Sequence, residues 1–200
     1  MSTAARPRIA GIVLAAGRST RMGSPKALVE VGGQSFLERV LRALREGGCD
    51  DLLCIAPAEP DAIATAALAA GARVVINRDP TSEQVDSIRL ALDALAPEVA
   101  AAVILPVDHP LVHASSIAAV IRTFRATGKP IVRASYHGRP GHPTLFGRAL
   151  FTEFQPGLPA GARSVIARHA RDVEDVAVQD EGVDIDIDTP SSLPPTEPPG

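Results

Sequence analysis

The sequence predicts an α/β protein in which a mostly parallel central sheet lies between two layers of helices. Two observations predict this fold. Short, almost continuously apolar segments alternate with longer helical ones, as in βαβ units. A polar loop follows the first apolar segment, and such sheets bind ligands at the carboxyl ends of their strands. Because no repeat or linker divides the chain, we expect one domain over residues 1–190 and a proline-rich, frayed tail over residues 191–200.

The first half of the chain contains three predicted strands and three predicted helices. The strands are the short apolar runs at residues 9–15, 52–56 and 73–76. The helices are an alanine-rich segment and two segments with apolar residues at helical spacing, at residues 60–70, 35–46 and 82–95. Gly47 and Gly71 follow two of these helices directly, and glycine commonly ends a helix.

The second half continues the alternation. Further strands are predicted at residues 101–107, 130–134 and 173–178, and further helices at residues 115–126 and 161–170. We interpret residues 136–143 as a loop, because prolines and glycines interrupt them.

Composition excludes several classes of function. The net charge of −3 and an aromatic content of 3% without Trp argue against nucleic acid as a partner. No segment approaches the roughly 18 apolar residues of a membrane span, and the first apolar run lacks a signal-peptide cleavage site. Cys49 and Cys54 match neither a disulfide framework nor a zinc pattern. We therefore expect a cytoplasmic protein with no membrane partner.

The loop after the first strand has the residue types that a polyphosphate requires. Ala15, Ala16 and Gly17 are small enough for backbone N–H groups to approach a ligand, and three cations follow, at Arg18, Arg21 and Lys26. The spacing fits neither a Walker A loop nor a dinucleotide fingerprint. The alternative is an arginine-rich surface turn. Only two of the twenty basic residues are lysines, which makes Lys26 conspicuous.

Acidic residues supply candidate metal ligands. Asp108 directly follows the predicted strand 101–107, where a carboxylate is suited to Mg²⁺; the alternative is a cap on a proline-initiated turn. Asp184, Asp186 and Asp188 alternate with apolar residues, which would place them on one face of an extended strand. Three carboxylates on one face require a compensating cation. The alternative is that this face lies on a solvated edge strand. His109 and His113 have the spacing of a zinc pair, but no third ligand is evident and we predict no zinc site.

Residues 14–28 resemble the signature L-A-A-G-x-x-x-R-M-G-x-P-K-x-L of nucleotidyltransferases that activate phosphorylated metabolites with a nucleoside triphosphate. The likeness is greatest to the MobA-like group and its molybdenum cofactor cytidylyltransferases. It implies a single three-layer α/β/α, Rossmann-like nucleotidyltransferase domain. It also implies that Arg18 or Arg21 contacts phosphate and that Lys26 stabilises the pentavalent α-phosphorus. The residues implied to wrap the triphosphate are Leu14, Ala15, Ala16 and Gly17.

Two further segments extend the resemblance to the metal. Asp108 stands in a segment similar to the family motif G-D-x-P-x-V, with Val107 where the family usually has Gly. Asp188 matches the aspartate before Thr-Pro in D-I-D-T-P-E-D-L, although Ser191 and Ser192 replace the following Glu-Asp. The resemblance implies that these two aspartates bind Mg²⁺.

The remaining matches concern the acceptor and the base. Residues 138–146 resemble G-x-x-G-H-P-x-L-F, a segment that lies on the acceptor side in relatives. The resemblance implies that His142 bonds an acceptor phosphate or a pterin; the alternative is that His142 fixes its own loop. Arg163 stands in a matching G-A-R segment. Asn77 and Ser87 lie where relatives place a base-reading segment similar to G-M-S-x-S-L-R, but residues 83–85 depart from it and leave the base open.

The resemblance implies transfer of a nucleoside monophosphate to a phosphorylated acceptor, with Mg²⁺ as cofactor and release of pyrophosphate. We expect molybdopterin as the acceptor first, with CTP as the donor. CTP is favoured over GTP because A-A-G and P-K-x-L fit the cytidylyl branch. A molybdoenzyme is then the expected client of the product. The alternatives are a sugar- or alditol-phosphate acceptor, or a nucleotide-binding regulatory or chaperone-like module without turnover.

Overall fold

The computed structural model describes residues 6–17 and 25–188. Its strands are β1 (Arg8–Leu14), β2 (Glu30–Val31), β3 (Gln34–Ser35), β4 (Asp51–Pro57), β5 (Arg73–Asn77), β6 (Val99–Pro106), β7 (Ile131–Tyr136), β8 (Arg139–Gly147) and β9 (Val173–Ala177). Its α-helices are α1 (Phe36–Glu46), α2 (Ala62–Ala69), α3 (Gln84–Asp93), α4 (Ala114–Thr127) and α5 (Ala162–Arg168). Short 3-10 turns occupy Lys26–Leu28, Arg148–Glu153, Ala170–Asp172 and Glu181–Val183. The predicted tail, residues 191–200, lies outside the described ranges.

Seven strands form the central sheet, in the order β5-β4-β1-β6-β8-β7-β9. β8 runs antiparallel to both of its neighbours, and the other neighbouring pairs are parallel. β2 and β3 form a separate hairpin. The predicted mostly parallel sheet is therefore confirmed, and the carboxyl ends of β1, β4, β5 and β6 lie at one edge.

Helices cover both faces of the sheet, so the central strands are buried on both sides. Val13 of β1 belongs to the core cluster that includes α1, α2 and α4, whereas Ile12 belongs to the cluster that includes α3 and α5. Local signals mark the ends of two helices: Ser35 and Glu38 form a capping box at the start of α1, and Gly128 ends α4 with a φ of 67°. The three-layer α/β/α architecture is confirmed.

The interpretation of residues 136–143 as a loop was wrong except at residues 137 and 138, because β7 ends at Tyr136 and β8 begins at Arg139. Two prolines fit this strand because its first part pairs only with β7. The bonds to β6 start at Thr144, and the β7 register shifts between Arg133 and Ser135. A proline lacks the backbone donor, so it is tolerated where pairing is incomplete.

Cys49 and Cys54 are both free thiols, and burial raises the pKa of each to about 12, which fits small structural side chains. Within residues 6–17 and 25–188, no helix is both long and apolar enough to cross a membrane.

Candidate functional site

Two neighbouring cavities open at the carboxyl edge of the sheet. The smaller has a volume of about 210 Å³ and the larger about 560 Å³. Both are lined by Leu14 and Pro106, which end β1 and β6, by Gln84 at the start of α3, and by Asp108. Since these four residues border both spaces, a ligand in one cavity would meet a ligand in the other beside Asp108.

The end of β1 forms one wall of the smaller cavity. Leu14, Ala16 and Gly17 line it, while Ala15 is buried behind and donates its N–H to the Ile55 carbonyl at 2.9 Å. A Cβ added at Gly17 would meet no heavy atom of the described residues within 4 Å. Arg18 and Arg21, which the sequence also assigns to this loop, lie outside the described residues.

Lys26 enters the smaller cavity from the 3-10 turn Lys26–Leu28. Its ammonium nitrogen Nζ donates a hydrogen bond to Asp188 Oδ1 and lies 3.7 Å from Asp108 Oδ2. The Lys26 side chain is only 14% exposed. The structure thus gathers three of the predicted site residues, from three distant parts of the chain, around one positive charge.

Asp108 is held at the end of β6 by backbone bonds on either side. Val107 N–H donates to the Leu14 carbonyl at 3.2 Å, and His109 N–H donates to the Pro106 carbonyl at 3.2 Å. Asp108 caps no helix, because α4 begins later and His113 is its N-cap residue. Its Oδ1 atom is buried and accepts no hydrogen bond from the described residues. An unsatisfied buried carboxylate oxygen is costly, and a bound cation would satisfy it.

The three alternating aspartates do not form the predicted strand face. After the 3-10 turn Glu181–Val183 the chain has no regular structure up to residue 188. Asp184 forms an ion pair with Arg139 at 2.7 Å, Asp186 lines the larger cavity, and only Asp188 reaches Lys26. The strand expectation was wrong because Asp184 caps the preceding turn and Ile187 N–H bonds to the Asp108 carbonyl at 2.8 Å. That bond brings Asp188 next to Asp108.

Asp108 and Asp188 suit a divalent cation. Carboxylates are the ligands that Mg²⁺ and Mn²⁺ prefer, and the Lys26 ammonium already occupies a position between the two. In the described part of the chain no three His, Cys, Asp or Glu side chains gather into a metal site. His109 and His113 also separate: the His109 side chain is 11% exposed beside Asp108, and the His113 side chain is 67% exposed beside Asp180.

Asn77 and Ser87 are joined in one hydrogen-bond network, but only Ser87 lines the smaller cavity. Asn77 Nδ2 donates to Ser82 Oγ at 2.7 Å and to Ser87 Oγ at 3.0 Å, and its Oδ1 accepts from Asp79 N–H. Asn77 therefore lies behind the cavity wall and holds the start of α3. Sequence reasoning missed Ser82 and gave no role to Glu83 and Gln84, which line the cavity beside Ser87.

His142 and Arg163, the two residues predicted for the acceptor side, both line the larger cavity. The His142 ring lies 4.6 Å from the His109 ring, centroid to centroid, and the Nδ1 atoms of both rings are buried and form no hydrogen bond with the described residues. Burial, with smaller contributions from His109 and Arg163, lowers the pKa of His142 to about 3. His142 is therefore uncharged near neutral pH and supplies no positive charge for a phosphate. His109 was missed, since its sequence context suggested only the zinc pair.

Comparison with known sequences identifies the family. The sequence model of the MobA-like NTP transferase domain matches residues 11–173. The chain is 28% identical over 193 residues to nicotine blue oxidoreductase of Paenarthrobacter nicotinovorans, covering 92% of this chain and 93% of that protein. It is 31% identical over 187 residues to 2-C-methyl-D-erythritol 4-phosphate cytidylyltransferase of Frankia casuarinae, covering 88% and 69%. A shorter match, 60% identical over 37 residues, is to molybdenum cofactor guanylyltransferase of Sinorhizobium fredii, covering 18% and 17%.

Solved structures agree with this assignment. Rv0371c from Mycobacterium tuberculosis H37Rv superposes with a TM-score of 0.81 at 30% identity, covering 92% of this chain and 95% of that one. A second structure of Rv0371c, described as a complex with manganese, gives a TM-score of 0.68 at 26% identity, covering 86% and 88%. The chain therefore belongs to the MobA-like NTP transferase domain family, and it is a nucleotidyltransferase.

Proposed function

We propose that this enzyme transfers a nucleoside monophosphate from a nucleoside triphosphate, with Mg²⁺, to a phosphorylated acceptor and releases pyrophosphate. CTP is the proposed donor and molybdopterin the proposed acceptor, in the cytoplasm, with a molybdoenzyme as client of the product. One observation carries the proposal: Asp108 borders both cavities, and Lys26 Nζ lies 3.7 Å from its Oδ2. A triphosphate in the smaller cavity and an acceptor in the larger would meet there.

The reaction is an in-line displacement at the α-phosphorus. An acceptor phosphate oxygen forms a new bond to the α-phosphorus, while the bond from the α-phosphorus to the α,β-bridging oxygen breaks. Pyrophosphate departs with that electron pair. An ionised phosphate is already nucleophilic, so the protein's part is to position the reactants and to stabilise charge.

Lys26 provides that stabilisation at the α-phosphate. Its ammonium is a compact, mobile charge, and in the described residues it is paired with two carboxylates beside the proposed reaction centre. Triphosphate oxygens would replace a carboxylate partner as the nucleotide enters. A divalent metal held by Asp108 and Asp188 would neutralise charge on the phosphate oxygens. Backbone N–H groups near Gly17 would complete the cradle, because no heavy atom of the described residues would lie within 4 Å of a side chain at that position.

An alditol phosphate is a second candidate acceptor. A relative that is 31% identical over most of this chain is named for 2-C-methyl-D-erythritol 4-phosphate. The two acceptors differ greatly in size, and the larger cavity of about 560 Å³ offers room for the bulkier one.

The base preference is tested by thermal unfolding with CTP, GTP, ATP or UTP in the presence of Mg²⁺. A nucleotide at 100 times its Kd stabilises by about 2.7 kcal/mol, which raises the Tm of a protein of this size by about 5–10 °C. We expect the largest rise with CTP. Pyrophosphate release is then measured with molybdopterin and with 2-C-methyl-D-erythritol 4-phosphate. No Tm rise with any nucleotide would contradict the proposal, whereas binding without turnover would support the regulatory module.

A further inference from the structure

Asp180 is a buried carboxylate that connects the start of α4 to the C-terminal segment, by which we mean residues 180–188. Its side chain is 2% exposed and lines neither cavity. Oδ2 accepts hydrogen bonds from His113 N–H at 2.8 Å and Ser116 Oγ at 2.6 Å, both at the start of α4. Oδ1 accepts from Gly182 N–H at 3.1 Å, within the C-terminal segment. One carboxylate thus bonds the helix with one oxygen and the segment with the other.

The C-terminal segment lies directly on the backbone of its neighbours. A Cβ added at Gly182 would lie 2.5 Å from the Leu111 carbonyl oxygen, and one added at Gly141 of β8 would collide with the Val183 carbonyl oxygen. Val183 and Ile187 are fully buried. Close approach at these two glycines leaves little freedom for the segment to shift once its first residue is fixed.

The far end of the segment forms the proposed metal site. Ile187 N–H donates to the Asp108 carbonyl at 2.8 Å, and Asp188 accepts from Lys26. Asp180 and Asp188 are therefore the two ends of one docked segment, with the first in the protein interior and the second in the site.

We infer that Asp180 is a positioning residue, which fixes the C-terminal segment so that Asp188 stands beside Asp108 and completes the divalent-metal site. The inference rests on the metal-binding part of the proposed function. Asp180 acts only through Asp188, because it is buried and touches neither cavity. An anionic acceptor is favoured at this position, since it faces two backbone N–H groups and the N-terminal end of the 14-residue α4.

The variant Asp180→Asn separates the bonds of the carboxylate to α4 from its bond to Gly182. An amide has one accepting oxygen, which can keep the bonds to His113 N–H and Ser116. Its NH₂ group would then face Gly182 N–H and lose the bond to the segment. Ser116→Ala is the matched control, because it removes only one of the three hydrogen bonds to the carboxylate and leaves those from His113 N–H and Gly182 N–H, so that the segment stays bonded to α4.

Two measurements on the full chain test the inference, and neither needs turnover. In Asp180→Asn we expect hydrogen exchange at the Ile187 amide to speed up by about tenfold, the effect of losing one charged hydrogen bond. We expect the Kd for Mn²⁺, followed by electron paramagnetic resonance of the free ion, to rise by about threefold to tenfold, because fewer molecules hold Asp188 beside Asp108. Ser116→Ala should leave both within about twofold, even if it lowers the Tm.

Several results would overturn the inference. These are an unchanged Mn²⁺ Kd in Asp180→Asn, an equal rise in Ser116→Ala, unchanged exchange at Ile187, or no Mn²⁺ binding by the unaltered protein. If both readouts change as expected but no nucleotide and acceptor pair gives pyrophosphate, the positioning role stands and the proposed reaction falls.

Discussion

At the scale of single residues, Lys26 is the centre of the site because it faces two carboxylates at once. Its Nζ bonds Asp188 and lies 3.7 Å from Asp108 Oδ2, and the side chain is mostly buried. Partly buried charges interact more strongly than surface ones, because water screens them less. A metal ion brings positive charge to this point and a triphosphate brings negative charge. The metal can therefore pair with the aspartates and the triphosphate with Lys26, so that no buried charge is left without a partner.

His142 lines the larger cavity, which is the proposed acceptor site, and its assignment to the acceptor side stays a prediction. Its burial follows from the neighbouring strands and the His109 ring, which sequence spacing does not reveal. An uncharged imidazole can hydrogen-bond a pterin or a hydroxyl, but it is a poor partner for a phosphate dianion.

The lowered pKa of His142 has a consequence for stability. The unfolded chain protonates this histidine below about pH 6.5, but the folded state resists protonation down to about 3. The unfolded state thus binds more protons between these values, so stability falls as the pH drops through that range. Between pH 7 and pH 5 the loss is at most about 2 kcal/mol.

Urea unfolding at pH 7 and pH 5 checks this expectation. In His142→Phe the loss on acidification should shrink by up to about 2 kcal/mol relative to the unaltered protein. An equal loss in both proteins would show that His142 titrates normally in the folded state.

At the scale of elements, β8 is the strand of the central sheet that sequence patterns did not predict. Alternation and helical spacing predicted the strands that pair in parallel, because these are short apolar runs. β8 contains Pro140 and Pro143, and local rules treat prolines as breaks. The strand forms because tertiary packing against β7 and the C-terminal segment supplies what local sequence lacks.

The contact between β8 and the C-terminal segment gives a sharp prediction for Gly141→Ala. The added Cβ would collide with the Val183 carbonyl oxygen, so backbone must move. We expect a loss of about 1–3 kcal/mol in the free energy of unfolding, measured with urea.

Gly147→Ala is its control within the same strand. A Cβ there would meet the Phe124 ring and Pro130 at 3.5 Å, which is ordinary contact. A loss in Gly147→Ala as large as in Gly141→Ala would mean that any side chain disturbs β8, and that the close approach to Val183 has no special weight.

At the scale of the whole molecule, the fold brings residues 26, 108 and 188 to one point between two cavities. The family signature pointed to these three residues, and the structure shows that their side chains lie together. The signature could not predict Asp180, whose task is to place another residue, nor that Asn77 lies behind the wall. The sequence does not distinguish an asparagine that contacts a ligand at the end of a strand from one that, like Asn77, donates hydrogen bonds to Ser82 and Ser87.

The most direct test of the account is pyrophosphate release by the full chain with Mg²⁺, CTP and molybdopterin, compared between Lys26→Gln and Lys129→Gln. Lys129 is the matched control, since it pairs with Asp172 on the surface and lines neither cavity. We predict that Lys26→Gln lowers kcat by about 10²–10³-fold, as expected for loss of a charge that stabilises the transition state, while Lys129→Gln stays within about twofold. Equal rates in the two variants would contradict the account.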